Sequence, residues 1–247
     1  MDIFLVFLTF IVTLLAGILS GLSGGGGGFI TMPYYIFIGL LPAEALATNK
    51  LSGVGNSFGA LSAFKGKGFI NKKLAIPFMS ITLICALASA WLIPQIDASF
   101  FQKIIGIILI LLIPSLFISK ASFQPGERSR LWFITGFIAY TFFTFMQTLF
   151  GTGLGIILVI ILMLLFGLST LEANATKRIA QSVQSVILFV LLSLQGLVVW
   201  SHGISGLIGA SIGTHIGSHI AIKKGDQFAK IMLSLFMAIS GLVLLLT

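Results

Sequence analysis

Ten apolar runs follow one another almost without interruption, at residues 3–20, 29–41, 43–64, 74–94, 104–119, 131–150, 154–168, 171–194, 203–222 and 228–246. Several reach the ~20 residues that a helix needs to cross a hydrocarbon layer of about 30 Å. Hydrocarbon offers no partner to a free N–H or C=O, so such segments must be helices that satisfy their own backbone. The longest polar connection, "KASFQPGERSR" at residues 120–130, leaves no room for a soluble domain. Only 8% of the residues are charged and 57% are hydrophobic, whereas a soluble domain carries about a quarter of charged residues. The chain reads as an all-α integral membrane protein, a single transmembrane domain over residues 1–247.

Several function classes fall away at once. The first run follows Met1-Asp2, acidic where a signal peptide is basic, and is expected to be a retained helix. The one cysteine, Cys85, lies inside an apolar run; disulfide, zinc-cluster and CxxC chemistry are excluded within a single chain, and Cys85 is expected to be a small buried packing residue. The six acids are Asp2, Glu44, Asp97, Glu127, Glu172 and Asp226, none at a segment centre, so the carboxylate pair of a membrane-embedded enzyme is missing. Neither catalysis nor a cofactor is expected. The net charge of +8 sits in short loops: Lys65, Lys67, Lys72 and Lys73; Lys120, Arg128 and Arg130; Lys223, Lys224 and Lys230. That is the orientation signal of a multispan protein, which holds Lys and Arg on the cytoplasmic side, and calls for no nucleic acid.

The chain also repeats itself. "PAEALATNKL" from Pro42 and "TLEANATKRI" from Thr170 share Glu-Ala-x-Ala-Thr and a following basic residue. The separation that carries Glu44 to Glu172 also carries Gly25 to Gly153, Gly27 to Gly155, Gly39 to Gly167, Thr48 to Thr176, Lys50 to Arg178, Ser57 to Ser185 and Gly68 to Gly196. Two related halves of five segments follow, about residues 3–119 and 131–247, joined by a linker at 120–130. Five is odd, so the second half is expected to be inverted relative to the first. With every segment crossing and both termini outside, the three basic loops fall inside and Lys103 alone lies in an outer loop. Re-entrant glycine-led segments would give parallel repeats and place one of the basic groups outside, a poorer fit to the positive-inside rule.

Each half contains a break. "GLSGGGGGFITMP" at residues 21–33 places five consecutive glycines between apolar stretches, and "FGTGLG" at residues 150–155 is a milder interruption at the mirrored place. Five glycines forfeit roughly 4 kcal/mol of helix propensity. The runs that follow are short, roughly 20 Å and 22 Å at a 1.5 Å rise per residue, and each is expected to be a half-helix whose N-terminus opens toward the protein's centre. Inverted repeats with glycine-interrupted segments at matching places are the sequence mark of secondary transporters, with substrate bound at the interruptions. A helix N-terminus preceded by glycines presents free N–H groups and a positive dipole end to an anion; the competing use of such glycines is close helix packing.

Basic residues inside the spans add to the anion reading. Lys50, Lys177 and Arg178 lie about two turns into their helices, where a cation faces a cavity or a partner unless it snorkels to the interface. Polar stripes at helical spacing run beside them, Asn49, Ser52 and Asn56 in one half and Lys177, Gln181 and Gln184 in the other, suited to a pathway or to interhelical hydrogen bonds. Glu44 and Glu172 are expected to be helix caps, since "STLE" has capping-box spacing and Pro42 sits as a first-turn proline. His202 is expected in a loop; His215 and His219 share a helix face but lack a carboxylate or thiol partner for a metal.

The glycine run leading to Pro33, "PAEALATNK" with its partner "EANATKR", and the loop "KGKGFINKK" resemble the TauE/SafE family of membrane permeases over nearly the whole chain. The resemblance implies transport of small sulfur-containing anions such as sulfite or organosulfonates, as export across a prokaryotic cytoplasmic membrane. It carries to Gly24 through Gly28, Thr48 and Lys50, and through the internal repeat to Thr176 and Arg178. The second glycine motif departs from the first, because Ile161 stands where Pro33 stands. The full substrate-site expectation is Gly24, Gly25, Gly26, Gly27, Gly28, Thr48, Asn49, Lys50, Asn56, Thr152, Gly153, Thr176, Lys177, Arg178 and Gln181, with a small anion and the lipid bilayer as partners. A passive anion channel or an importer shares these features; a membrane scaffold is the remaining alternative.

Overall fold

The computed structural model describes residues 3–25, 27–93, 130–150 and 154–246. The expected run at 104–119, the linker, Gly26, Thr152 and Gly153 lie outside the described residues. Nine α-helices are described: α1 (Ile3–Ser23), α2 (Gly28–Phe37), α3 (Pro42–Phe64), α4 (Lys72–Leu92), α5 (Arg130–Phe150), α6 (Gly155–Phe166), α7 (Thr170–Leu194), α8 (Trp200–Lys224) and α9 (Asp226–Leu246). Local chemistry sets several of their ends. Pro42 opens α3, and the Glu44 carboxylate accepts the Leu41 N–H at 3.0 Å. At the start of α7, Ser169 Oγ accepts the Glu172 N–H at 3.2 Å and Glu172 Oε2 accepts the Ser169 N–H at 2.8 Å, a reciprocal capping box. Both glutamates are caps, as the sequence predicts.

Four of the described helices, α1, α4, α7 and the 131–149 stretch of α5, are long and apolar enough to cross a membrane. The 10 residues of α2 and the 12 of α6 reach only about 15 Å and 18 Å. Helices α3 and α8, at 23 and 25 residues, have the length to span but are rich in Gly, Ser, Thr and Asn. They tolerate that composition because their polar residues face other helices: Thr48, Ser52, Ser57, Thr214 and Ser218 are all buried. Hydropathy is required only of a helix that faces lipid, and α8 turns a stripe of Ile204, Ile208, Ile212, Ile216 and Ile220 outward.

Helix α8 is wedged between α1 and α3 at distances only glycine allows. A Cβ placed on Gly213 would lie 2.0 Å from the Leu14 carbonyl oxygen, and one on Gly217 would lie 2.1 Å from that of Ile18. On the other side, a Cβ on Gly55 would meet the Leu207 carbonyl oxygen at 2.3 Å and one on Gly59 that of Ser211 at 2.2 Å. Lipid tails give no hydrophobic drive for one helix to join another, so backbone-to-backbone contact through small residues supplies the attraction.

These contacts also fix direction. Along α3 and α8 they advance together, from Thr48 with Val199 to Ser62 with His215, so the two helices run parallel. Along α1 and α8 they advance from Val6 with Ser205 to Gly21 with Ser218, again parallel. Helices α1 and α3 therefore point the same way, and the chain returns between them through the short α2. Helix α4 is parallel to α7, from Asn71 with Thr176 to Ala90 with Gln195. The turn between α7 and α8 reverses the chain, so α7 runs opposite to α3.

The apolar core gathers around α6, where Ile156 to Leu162 are all buried. Phe78 of α4 stacks on Tyr140 of α5 with ring centroids 4.0 Å apart and takes Phe166 of α6 edge-on at 5.2 Å. A half-helix apolar on every side belongs inside a protein. Gly213→Ala is expected to lower stability by about 1–3 kcal/mol through overpacking, despite alanine's better helix propensity, whereas Ile212→Ala on the outward stripe leaves the melting temperature in detergent nearly unchanged.

Candidate functional site

The site begins where α1 stops. Its chain turns at Gly24, with φ +80°, a left-handed conformation that glycine adopts without strain, and α2 starts at Gly28. The break after α5 is answered by α6 starting at Gly155. The first break touches the head of α6: a Cβ on Gly25 would lie 3.0 Å from the Ile156 nitrogen and 3.1 Å from the Gly155 carbonyl carbon. No side chain fits at that junction, which accounts for glycine on both sides of it.

A helix leaves its last four carbonyls without intrahelical partners. Arg178 of α7 donates from Nη2 to the Ser20 carbonyl oxygen at 2.7 Å and to Ser20 Oγ at 2.9 Å, in the last turn of α1. Lys50 of α3 donates from Nζ to the Thr148 carbonyl oxygen at 3.1 Å, in the last turn of α5. The separation in sequence that carries Lys50 to Arg178 carries Ser20 to Thr148, so each half closes the broken helix of the other. Cations also complement the negative end of a helix dipole. Neither side chain snorkels: Lys50 is 8% exposed and Arg178 1%.

Around these cations lies a cavity of about 60 Å³, several times the ~10–15 Å³ that one water requires. Ser20, Gly25, Gly27, Gly28, Asn49, Lys50, Gly53 and Asn56 line it from the first half, and Gln147, Gly155, Arg178, Gln181, Gln184 and Ser185 from the second. The half-helices contribute their N-termini, with Gly28 of α2 and Gly155 of α6 in the wall, where first-turn N–H groups have no partner within their own helix. The Ile30 and Thr31 N–H groups bond to the Gly27 carbonyl, and the Leu158 N–H to that of Leu154. Side-chain amides complete the wall: Asn49 Oδ1 accepts from Thr31 at 2.8 Å, Asn56 Oδ1 accepts from Thr214, and Gln184 donates to Thr148 Oγ1. Gln181 Oε1 is buried without a partner.

No carboxylate of a described residue lines the cavity. Asp226 accepts the Leu171 N–H at 2.9 Å at the head of α7, and Glu44 and Glu172 are occupied as caps. Among the described residues the chamber brings together two cationic side chains, two helix N-termini and neutral amides.

Several expected site residues lie elsewhere. Thr48 Oγ accepts the Val199 N–H at 3.1 Å and Thr176 Oγ the Asn71 N–H at 3.0 Å; both cap the helices that follow, and neither reaches the cavity. Lys177 is not in the cavity wall either, because its ammonium donates to the carbonyls of Gly24 and Gly155. His202 is helical rather than in a loop: α8 starts at Trp200, and His202 Nδ1 lies 2.8 Å from Thr9 Oγ. Ser20, Gly53, Gln147, Gly155, Gln184 and Ser185 join the site beyond expectation. The repeat pairs Gly53 with Gln181, Asn56 with Gln184 and Gly27 with Gly155, a signal sufficient to find three of them; Ser20 and Gln147 sit in apolar runs that give none.

Short helices that resume after a break, a polar chamber at their N-termini and spanning helices around it define a membrane transporter. Comparison with known proteins agrees, since residues 9–244 match the family described as "Sulfite exporter TauE/SafE". The chain belongs to the TauE/SafE family. It is 28% identical over 240 residues to the "Probable membrane transporter protein YfcA" of Escherichia coli K12, covering 96% of this chain and 88% of that protein. A "Probable membrane transporter protein" of Haemophilus influenzae is 28% identical over 210 residues, covering 84% of this chain and 82% of that one, and "Probable membrane transporter protein ORF9" of a Sinorhizobium species is 27% identical over 225 residues, with 91% and 86% covered. No solved structure matches.

The cations are required by the fold as well as by any ligand. Arg178→Leu and Lys50→Leu are each expected to cost about 1–3 kcal/mol of stability by orphaning a buried helix-end carbonyl, read as lower melting temperatures in detergent without ligand.

Proposed function

We propose that this protein is a secondary transporter that exports small sulfur-containing oxyanions, such as sulfite or organosulfonates, across the cytoplasmic membrane of a prokaryote. The substrate binds in the chamber between the two helix breaks, against Lys50, Arg178 and the first-turn amides of α2 and α6. The observation that carries this reading is the pairing of two buried cations with two helix N-termini around one cavity that no carboxylate of a described residue lines. Tetrahedral and pyramidal oxyanions accept hydrogen bonds in several directions, which suits donors converging from both halves. The family's description adds the sulfite assignment.

The fold under this proposal is two inverted five-segment repeats with both termini outside. The opposite directions of α3 and α7 support it, as do the reciprocal bonds of Lys50 with Thr148 and Arg178 with Ser20, and of Thr48 with Val199 and Thr176 with Asn71. Alternating access then consists of one half rocking against the other around the cavity. Export needs no coupling ion: moving one charge through 100 mV is worth about 2.3 kcal/mol, so a dianion leaving a cell that is negative inside gains roughly 4.6 kcal/mol per 100 mV, enough for more than a thousandfold outward gradient.

In detergent, sulfite is expected to bind the wild type saturably, and Lys50→Gln and Arg178→Gln each to weaken binding by more than about 1.5 kcal/mol, roughly tenfold. In proteoliposomes, sulfite efflux is expected to follow an imposed potassium diffusion potential at equal pH and to show counterflow. Unchanged affinity in both variants removes them from the site; absence of counterflow makes the protein a channel; efflux that follows pH and ignores potential overturns the driving force.

A further inference from the structure

Among the described residues, Lys177 is the one buried cation that the proposed anion site does not use. It is 1% exposed, and its ammonium donates to the Gly24 carbonyl and, at 3.1 Å, to the Gly155 carbonyl. The Gly24 carbonyl lies just past the end of α1, and the Gly155 carbonyl belongs to the first residue of α6. No backbone N–H of a described residue reaches the Gly24 oxygen. An unwound carbonyl at the negative end of a broken helix is a ligand with which transporters hold a free alkali cation, and the Gly155 oxygen supplies a second.

We infer that the Gly24 and Gly155 carbonyls form a cation site, and that the Lys177 ammonium occupies it as a tethered ion where a free cation would otherwise bind. Glycine at residue 155 leaves the room that the ammonium fills. A Cβ on Gly155 would lie 3.0 Å from Nζ and 3.2 Å from the Gln147 side-chain nitrogen. The repeat places Asn49 where Lys177 stands, and its Oδ1 is already taken by Thr31, so the site exists in one half only. The positive charge draws both carbonyls toward one point and holds α1 and α6 together beneath the anion chamber. A tethered cation cannot leave with substrate. On the export reading of the previous subsection, each substrate anion therefore crosses with its full charge and no accompanying sodium ion from this site.

The test uses the full-length protein in detergent, with Lys177→Ala, Lys177→Met and Lys177→Arg beside the wild type, in chloride salts of sodium, potassium, ammonium, methylammonium and choline at equal ionic strength. The wild type is expected to melt at the same temperature in all five, because its site is filled. Lys177→Ala leaves the site open; it is expected to melt lower in choline and to recover most of the loss, saturably, in ammonium, methylammonium or sodium, since a ligand of the folded state alone raises its stability. Lys177→Met keeps an uncharged stem as far as the Cε position and should recover less than Lys177→Ala, whereas Lys177→Arg should hold part of the stability in every salt. A Lys177→Ala protein indifferent to the cation, or one that cannot be obtained folded in any of the salts, overturns the inference, as does saturable stabilisation of the wild type by sodium. Sulfite binding measured on the same samples separates the two claims. Cation recovery without sulfite binding refutes the anion site alone, and sulfite binding without cation recovery refutes the cation site alone.

Discussion

A carbonyl at the end of a helix that stops inside a membrane protein has no water within reach, and leaving it unpaired costs on the order of 1–3 kcal/mol. This chain stops two helices that way, and it resolves both with cations from the opposite half: Arg178 on the Ser20 carbonyl and Lys50 on that of Thr148. Breaking a helix also exposes the amides of the half-helix that resumes after it. The same event thus creates a need for positive charge at one end and a concentration of donors at the other. Lys50 and Arg178 meet the first requirement and, because they line the cavity, add to the second. Structure and ligand chemistry are therefore not separable at these two residues.

The surrounding helices hold this arrangement at close range. The glycines of α8 bring its backbone against α1, and those of α3 bring the α3 backbone against α8, leaving little freedom for either contact to slide. Along α6 the packing is apolar and dense: Ile156 to Leu162 are buried, and at the far end of the helix Phe166 meets edge-on the Phe78 ring that stacks on Tyr140.

Much of this was legible in the residues. Glu44 and Glu172 read correctly as caps because capping is local, settled within four residues of chain. The half-helices were visible as short runs behind glycines, and the repeat paired Lys50 with Arg178. The misreadings share a cause, since each residue is held by a partner distant in sequence. The apolar run read from residue 203 misses the first turn of α8, which opens at Trp200 with the Val199 N–H held by Thr48 from α3, and so His202 is helical. Thr48 and Thr176 repeat faithfully because both brace a neighbouring helix, a pattern that sequence cannot distinguish from ligand binding. Lys177 stands beside Arg178 in sequence, yet one residue is about 100° of helical turn, and that rotation carries it away from the chamber wall.

The central claim is that the chamber between the breaks holds an oxyanion. Selenite has the shape and charge of sulfite and scatters anomalously, so a crystal of the protein grown with it locates the ion without interpretation. The account predicts one anomalous peak within hydrogen-bonding distance of Lys50 Nζ, the Arg178 guanidinium and the first-turn amides of α2 or α6, lost in Arg178→Gln. A peak at any other place, or an empty chamber at selenite concentrations that stabilise the protein in solution, contradicts it.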